Sequence, residues 1–199
     1  MKQFFLLIFI GSTSFLFSQA PDGNPSTFTS NGSGDWNSSG TWTQDVPGTD
    51  PDNIPDGDDY VTISNHDVDV TANAGFGHLD FKSLVNVGPT LTIESGKSLT
   101  GYDTDEDGAI ILRGNNTGFA VKTLTLNING GTVSCTSLSI STSTIKSRVI
   151  FEVSNGGTLT IDNDLTMSSF NLDTDIQLSA TTGTGNTLNL GGTIIGIST

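Results

Sequence analysis

Three alternating aspartates form the segment of this chain whose residue types are best suited to chemistry, Asp103-Thr-Asp-Glu-Asp-Gly108. Asp103, Asp105 and Asp107, followed by a glycine, match the first half of a calcium loop, because closely spaced carboxylate oxygens neutralise Ca²⁺ and glycine permits a sharp bend. The twelfth position would be Gly114, which supplies no carboxylate, and no flanking helices are evident, so an EF-hand is excluded. The segment is therefore either a calcium loop in a β context or an acidic turn in solvent, and the sequence favours the turn.

A second acidic segment, Asp50-Pro-Asp-Asn-Ile-Pro-Asp-Gly-Asp-Asp59, contains five aspartates in a looser version of the same pattern. The chain has one cysteine, Cys135, so no intramolecular disulfide can form. Stability must then come from backbone ladders, side-chain stacking or bound ions. Ca²⁺ is accordingly the candidate ion, and this acidic insert is the first place in the chain to look for chemistry.

Two tryptophans, Trp36 and Trp42, lie six positions apart just before the first clear strands. They could form a platform that stacks against sugars, because an aromatic face combines apolar area with a polar edge. Alternatively they cap the first coil of a stack and are half buried, which the sequence favours because the strands behind them need an end cover. The two histidines, His66 and His78, have no third ligand of the His/Cys type, so structural roles in turns are favoured over a zinc site.

The first 19 residues have the pattern of a secretory signal peptide, which the protein would lose on export. Lys2 supplies the positive start, Phe4–Ile10 and Phe15–Phe17 the apolar region, and Ser18-Gln-Ala20 the small residues for cleavage. The apolar stretch is interrupted and falls short of the roughly 20 residues that a membrane span needs. We therefore expect a secreted protein without a membrane span after signal removal.

The charge of the chain excludes one class of partner. Its formal net charge is -14, and it becomes one unit more negative when Lys2 is removed with the signal. Nucleic acid, which has the same sign of charge, is an improbable partner.

Short segments that alternate apolar and polar residues dominate the chain after Asp59, as β-strands do, and glycine or asparagine stands at almost every join. No amphipathic helix is evident between them. The predicted strands are Tyr60–Ser64, Asp67–Thr71, His78–Val87, Thr90–Glu94, Ala109–Leu112, Val121–Ile128, Thr132–Ile140, Val149–Val153, Thr158–Asp162, Asp164–Met167, Asp175–Leu178 and Thr187–Leu190.

Some of these segments repeat an internal pattern. Gly131–Ile140 can be aligned with Gly157–Thr166, and Pro89–Thr100 has the same order of strand, polar turn and strand. Recurrence at this period is typical of a solenoid, in which each coil buries its apolar side chains against the next. The sequence therefore predicts an all-β fold, a right-handed parallel β-helix with an N-terminal cap, in preference to a β-sandwich.

Four regions follow from these patterns: a signal peptide at 1–19, a flexible leader at 20–34, a capping segment with the acidic insert at 35–75, and β-helix coils at 76–199. The chain ends in mid-pattern, where Ile194, Ile195 and Ile197 would leave an apolar edge ready to pair. We expect it to be the front portion of a longer polypeptide, or an oligomer that hides this end.

The capping segment resembles the N-terminal module of large secreted Bacteroidetes-type surface proteins, and it is also similar to the eight-glycine β-repeat domain of extracellular proteins. The resemblance covers about residues 34–100 and departs from the pattern in the longer acidic insert, Thr49–Asp58. The anchors that carry it are Asp35-Trp36, Gly40-Thr-Trp42, Val46-Pro-Gly48, Asp59-Tyr-Val-Thr-Ile63 and Asn65-His-Asp-Val-Asp-Val70. It implies a location at the surface of a Gram-negative cell.

The sequence thus predicts a structural or adhesive element of the cell surface that contacts polysaccharide or a surface glycan. The alternative is the front part of a polysaccharide-degrading enzyme, because carbohydrate lyases also use β-helices with a calcium ion and a basic residue. The basic candidates would be Arg113, Arg148, Lys122 and Lys146. No nucleophile motif or triad accompanies them, so enzyme activity within these residues is not favoured.

Overall fold

The structure, a computed structural model, is a right-handed parallel β-helix in which three sheets enclose an apolar interior. It describes residues 20–45, 50, 52–84, 86–104, 106–118, 120–144, 146–169, 176–180 and 183–198. The predicted solenoid is confirmed, and the β-sandwich is not the fold of this chain. Both the predicted signal peptide and the first residue of the predicted strand Asp175–Leu178 lie outside the described residues.

The strands are short, and a single 3-10 turn, Ser39–Thr41, precedes the third of them. In chain order they are β1 (Thr27–Ser30), β2 (Gly34–Asp35), β3 (Trp42–Gln44), β4 (Tyr60–Ser64), β5 (Val68–Val70), β6 (Ala74–Phe76), β7 (His78–Ser83), β8 (Thr90–Ile93), β9 (Ser98–Gly101), β10 (Ile110–Gly114), β11 (Lys122–Asn129), β12 (Thr132–Cys135), β13 (Leu138–Thr142), β14 (Ser147–Ser154), β15 (Thr158–Ile161), β16 (Leu165–Ser169), β17 (Ile176–Ala180), β18 (Thr187–Leu190) and β19 (Ile194–Ser198).

From β4 to β18, each coil contributes one strand to each sheet. Sheet A has the order β19-β16-β13-β10-β7-β4-β1-β3, sheet B the order β17-β14-β11-β8-β5-β2, and sheet C the order β18-β15-β12-β9-β6. Registered residues form rows along the stack, such as Leu79, Ile110, Leu138, Leu165 and Ile194 in sheet A. Successive members lie about 30 residues apart in the chain, within the period of solenoid repeats.

The alternation of the strands explains the interior. In β8, Leu91 and Ile93 are buried while Thr90 and Thr92 point outward, and β15 repeats the arrangement with Leu159 and Ile161. Each fully buried aliphatic side chain contributes about 1.5–3 kcal/mol relative to an exposed one. Because the chain has a low hydrophobic content, its core depends on the stacking of these apolar side chains from coil to coil.

The start of the stack differs from the predicted flexible leader. Within 20–34, Thr27–Ser30 forms β1, which pairs in parallel with β4 and antiparallel with β3. The physical reason is Phe28, whose side chain is fully buried in the core and alternates with outward-facing Thr27 and Thr29. β3 then pairs with the other side of β1 and closes the edge of sheet A with a chain running in the opposite direction.

The repeat alignment is confirmed for one pair of segments and shifted for the other. Thr132 pairs with Thr158 in sheet C, as the alignment of Gly131 with Gly157 requires. Thr132 also pairs with Ser98, whereas Thr90 lies in sheet B opposite Thr125. The strand of the Pro89 segment that corresponds in space is therefore the second one, β9.

The last coils of the stack contain a pocket and exposed isoleucines. A pocket of about 240 Å³, partly open to solvent, lies at the last coils and is lined mostly by apolar side chains, among them Phe151, Leu159 and the exposed Leu178. Ile194 and Ile195 on β19 are exposed, as the sequence predicts for this edge.

Within the described ranges, no helix has the length and apolar character that crossing a membrane demands.

Candidate functional site

Five aspartates from two distant segments gather beside the first coil and form what we call the acidic corner: Asp22, Asp50, Asp56, Asp58 and Asp59. One carboxylate oxygen each of Asp22, Asp56 and Asp58 lies within 4.8 Å of the others. Asp22 comes from the segment before β1, whereas Asp56 and Asp58 come from the insert before β4. Pairing of β1 with β4 brings these two segments together.

Backbone amides anchor the buried carboxylates of the corner. Asp59 accepts hydrogen bonds on both oxygens, from the N–H of Ser26 at 2.7 Å and from the N–H of Asp56 at 2.7 Å. Asp58 accepts one on Oδ2, from the N–H of Gly23 at 2.8 Å. Its other oxygen, Oδ1, is buried and has no hydrogen-bond partner, and the same holds for Oδ2 of Asp50.

Burial and crowding perturb the acidity of these groups. Burial raises the pKa of Asp50 to about 6 and that of Asp59 to about 7. Burial, together with a hydrogen bond to the side chain of Asp58, raises the pKa of Asp56 to about 9. Burial alone would also raise the pKa of Asp58, but hydrogen bonds from the Asp56 side chain and from backbone amides lower it instead. Burial and the hydrogen bond between the two side chains thus shift the pKa values of Asp56 and Asp58 in opposite directions.

The loop that follows β9, which contains Asp103 and Asp107, lies against the acidic corner. A Cβ added to Gly57 would be 2.4 Å from Cδ of Pro21 and 2.7 Å from Cδ2 of Tyr102, and one added to Gly77 would be 2.9 Å from Cβ of Glu106. The chain of the insert thus packs directly on the leader and on the loop that follows β9. Glycine is required at these two positions because no side chain fits between the segments.

The calcium loop predicted at 103–108 is not assembled by the described residues. Asp105 lies outside them, and Asp103 is exposed. Asp107 is engaged elsewhere: its Oδ1 lies 2.7 Å from Nδ1 of His78 and also accepts the N–H of Ala109 at 3.1 Å. Whether this loop binds Ca²⁺ stays a prediction.

Both histidines make contacts within the stack. His78 stacks on Tyr60 with ring centroids 4.4 Å apart and planes 9° from parallel. Nδ1 of His66 lies 2.9 Å from Oγ of Ser30, so the turn between β4 and β5 is tied to β1. These contacts match the structural roles favoured for the two residues.

The tryptophans are more deeply buried than a half-buried cap would be. Trp36 is 0% and Trp42 3% exposed. Their ring centroids lie 5.1 Å apart at 68°, an edge-to-face pair. The indole N–H of Trp36 donates to the carbonyl of Pro55 at 3.2 Å, and that of Trp42 donates to the carbonyl of Trp36 at 2.7 Å. Neither ring presents a face to solvent in this arrangement. Whether either tryptophan stacks against a sugar stays a prediction, which a binding measurement must test.

Sheet C presents an outer surface of short polar side chains, which we call the hydroxyl face. Its two rows run across the strands in register and are at least partly exposed. The rows are Ser98, Thr132, Thr158 and Thr187, and Thr100, Ser134, Thr160 and Asn189. Asn189 donates to Oγ1 of Thr160 at 3.3 Å, so neighbouring coils are linked along the face.

The basic candidates are divided between sheets. Arg113 lies on β10 of sheet A, where its Nε is 3.1 Å from Oδ1 of Asp80, and Lys82 lies 3.7 Å from the other oxygen of Asp80. Arg148 lies on β14 of sheet B, in register with Thr123. The two arginines therefore do not line a common surface.

The fold defines this protein as a β-solenoid with a buried aromatic start, an acidic corner and a hydroxyl face. Comparison with family models, with curated proteins and with solved structures found no match. The resemblance to the Bacteroidetes-type module and to the eight-glycine repeat accordingly stays a prediction.

Sequence reasoning found part of the acidic corner and missed the rest. It named the insert from Asp50 to Asp59 as the place for chemistry, but it left Asp22 in the flexible leader. The signal that could have joined them is the alternation of Thr27, Phe28 and Thr29, which predicts a strand and hence a partner for the leader.

Proposed function

We propose that this chain is a segment of a secreted cell-surface protein in which the β-helix serves as a structural and adhesive scaffold that contacts polysaccharide. The hydroxyl face is the observation that carries the proposal. Registered rows of serine, threonine and asparagine are the surface expected of an adhesive solenoid. An enzyme would instead need a groove with an arginine beside a carboxylate cluster.

The spacing of the hydroxyl face suits a regular polymer. Adjacent coils place equivalent residues about 4.8 Å apart, so the same group recurs at a constant interval along the stack. Each hydroxyl can donate one hydrogen bond and accept others, as the hydroxyls of a sugar also can. A chain of repeating sugar units can therefore make the same contact many times, and weak individual bonds add up along the face.

The enzyme alternative receives less support. Arg113 and Arg148 lie on different sheets, and Arg113 is already paired with Asp80. The acidic corner is built from residues before β1 and β4, and neither arginine belongs to it. These placements favour the scaffold over a lyase site.

The experiment compares two threonine-to-valine triple variants in sedimentation with insoluble neutral polysaccharides such as cellulose and chitin. Valine has the shape and strand preference of threonine but lacks the hydroxyl. The test variant changes Thr132, Thr158 and Thr160 on the hydroxyl face. The control changes Thr90, Thr92 and Thr125, which point outward on sheet B.

We expect the parent and the sheet B control to bind equally. The hydroxyl-face variant should bind about tenfold more weakly or worse, because each lost hydrogen bond contributes about 0.5–1.5 kcal/mol. Absence of binding by the parent across the panel, or equal binding by both variants, would contradict the proposed contact. Export has its own test, since deletion of residues 1–19 should retain the protein in the cytoplasm of a Gram-negative host.

A further inference from the structure

The acidic corner joins two parts of the chain that are far apart in the sequence. Gly23 and Asp58, which share a hydrogen bond, are 35 residues apart. Asp22 stands next to Gly23, and its carboxylate meets those of Asp56 and Asp58 with one oxygen of each within 4.8 Å. Three like charges at this distance repel one another unless protons or a cation neutralise them.

One buried carboxylate oxygen in this group indicates that a cation binds here. Asp58 is 0% exposed, yet its Oδ1 has no hydrogen-bond donor. Asp59, equally buried, shows how the fold treats a carboxylate that needs no ion, because both of its oxygens accept backbone N–H groups. A buried carboxylate oxygen without a donor is costly, and an ion is a partner that removes the cost.

We propose that Asp22, Asp56 and Asp58 bind one Ca²⁺ ion, which fastens the N-terminal segment to the first complete coil. All three ligands are carboxylates, and hard oxygen ligands select Ca²⁺ or Mg²⁺ over metals that prefer sulfur or imidazole. Ca²⁺ is favoured because it accepts several carboxylates in irregular geometry, whereas Mg²⁺ demands a near-ideal octahedron and keeps its waters. This site is distinct from the loop at 103–108, and it goes beyond the adhesive function.

The ion would act where the N-terminal segment meets the first complete coil. Hydrogen bonds already join them, among them the N–H of Ser26 to Asp59 and the N–H of Tyr60 to the carbonyl of Ser26 at 2.9 Å. An ion that bridges Asp22 to Asp56 and Asp58 adds a cross-link between this segment and the coil. Because only the folded chain assembles the three ligands, Ca²⁺ stabilises it by mass action.

The test begins with the purified protein, stripped of ions by a chelator and dialysed, in calorimetric titrations with CaCl₂ and with MgCl₂. We expect one Ca²⁺ per chain, with a dissociation constant of about 0.1–1 mM or tighter, as in extracellular modules, and weaker binding of Mg²⁺. Tb³⁺ gives an independent readout. Trp36 donates to the carbonyl of Pro55, the residue before Asp56, so excitation of tryptophan should sensitise Tb³⁺ emission that Ca²⁺ displaces.

Matched asparagine variants locate the site. Asp58→Asn and Asp22→Asn keep an oxygen for the N–H groups of Gly23 and Asn24 but remove a charged ligand, so each should weaken Ca²⁺ binding by about tenfold or more. Asp162→Asn removes an exposed charge at a distant turn and should bind like the parent. Asp103→Asn should also bind like the parent.

Three results would overturn the proposal: no heat and no displaceable Tb³⁺ emission with the parent, tighter binding of Mg²⁺ than of Ca²⁺, or loss of binding in Asp103→Asn with binding retained in Asp22→Asn. Asp22 is exposed, so folding of that variant is not in question, and it decides the matter if Asp58→Asn proves unstable. The hydroxyl-face valine variant leaves all three ligands intact. Loss of polysaccharide binding and loss of Ca²⁺ binding are thus separate outcomes.

Discussion

Truncation of either buried tryptophan should strongly destabilise the start of the solenoid. Replacement of a fully buried large aromatic by alanine costs about 3–5 kcal/mol, and Trp36 and Trp42 are 0% and 3% exposed. Each replacement also removes an indole donor, to the carbonyl of Pro55 in Trp36→Ala and to the carbonyl of Trp36 in Trp42→Ala, which adds about 1–3 kcal/mol if the buried oxygen stays unpaired. We therefore expect losses of similar size in the free energy of unfolding for the two variants.

The edge-to-face contact should make the two substitutions non-additive. Aromatic pairs contribute about 0.5–1.5 kcal/mol beyond their buried area, so the double variant should lose less than the sum of the single losses by about that amount. Urea unfolding followed by circular dichroism measures both quantities in all the variants. The chain has two tryptophans, so fluorescence adds a report on this end of the stack in the parent and in the single variants.

Val121→Ala, at an exposed side chain, is the control and should change the free energy of unfolding by less than about 0.5 kcal/mol. A loss no larger than that of this control in each tryptophan variant would contradict the buried packing of the pair. The same conclusion would follow if a single variant kept its free energy of unfolding but bound the polysaccharide panel more weakly, since that outcome is expected of an exposed stacking platform and not of a buried pair.

Three further predictions concern single groups. Burial raises the pKa of the Cys135 thiol to about 12, so a thiol reagent at pH 8 should leave the native protein unlabelled and modify it only after unfolding. Asn65 has a φ of 62°, so Asn65→Ala should lower the free energy of unfolding by about 1–2 kcal/mol in urea titrations, and an equal loss in Asn65→Gly would contradict this cause. In chelator, burial raises the pKa of Asp59 from 3.8 to about 7; the folded state then binds more protons than the unfolded one between these values, and melting temperatures should fall as pH rises through this window.

Much of the β-helix could be predicted because its signal is local. Alternation of apolar and polar residues predicts β4 and β18 with the bounds that the structure shows, and β8 and β15 to within one residue. β6 was missed because Ala74, Gly75 and Phe76 are all buried, and three buried residues in a row show no alternation. The sheet positions of the Pro89 segment were not predicted, because it has the same order of strand, turn and strand as the Gly131 segment, and only the winding of the coil decides that its second strand, β9, pairs with β12.

The candidate site was less accessible to sequence reasoning because it depends on contacts between distant residues. An acidic insert is visible in the sequence, but its carboxylates acquire their properties from burial beneath the leader and from the N–H groups of Gly23 and Ser26. The hydroxyl face has the same limitation. Each strand shows only two or three polar residues, and the array exists because parallel pairing places them in register.

The position of the acidic insert explains why so many carboxylates are gathered at one place. Sheets A and B begin with the strands β1 and β2, but among the described residues sheet C begins one coil later, at β6. Where a third strand of the first coil would run, the chain between β3 and β4 passes through the insert instead. The carbonyl of Asp59 accepts the N–H groups of Gly77 and His78, just after β6, and carboxylate oxygens of Asp58 and Asp59 accept those of Gly23 and Ser26.

At this corner, side-chain carboxylates therefore accept backbone N–H groups, as the backbone carbonyls of a strand do elsewhere in the stack. Each carboxylate that does so adds a negative charge, which a strand would not. The charge accumulates in a partly buried place, where neighbouring carboxylates repel one another unless protons or a cation neutralise them. The substitution of a loop for a strand at the start of the solenoid therefore creates the setting in which the Ca²⁺ ion proposed above would act.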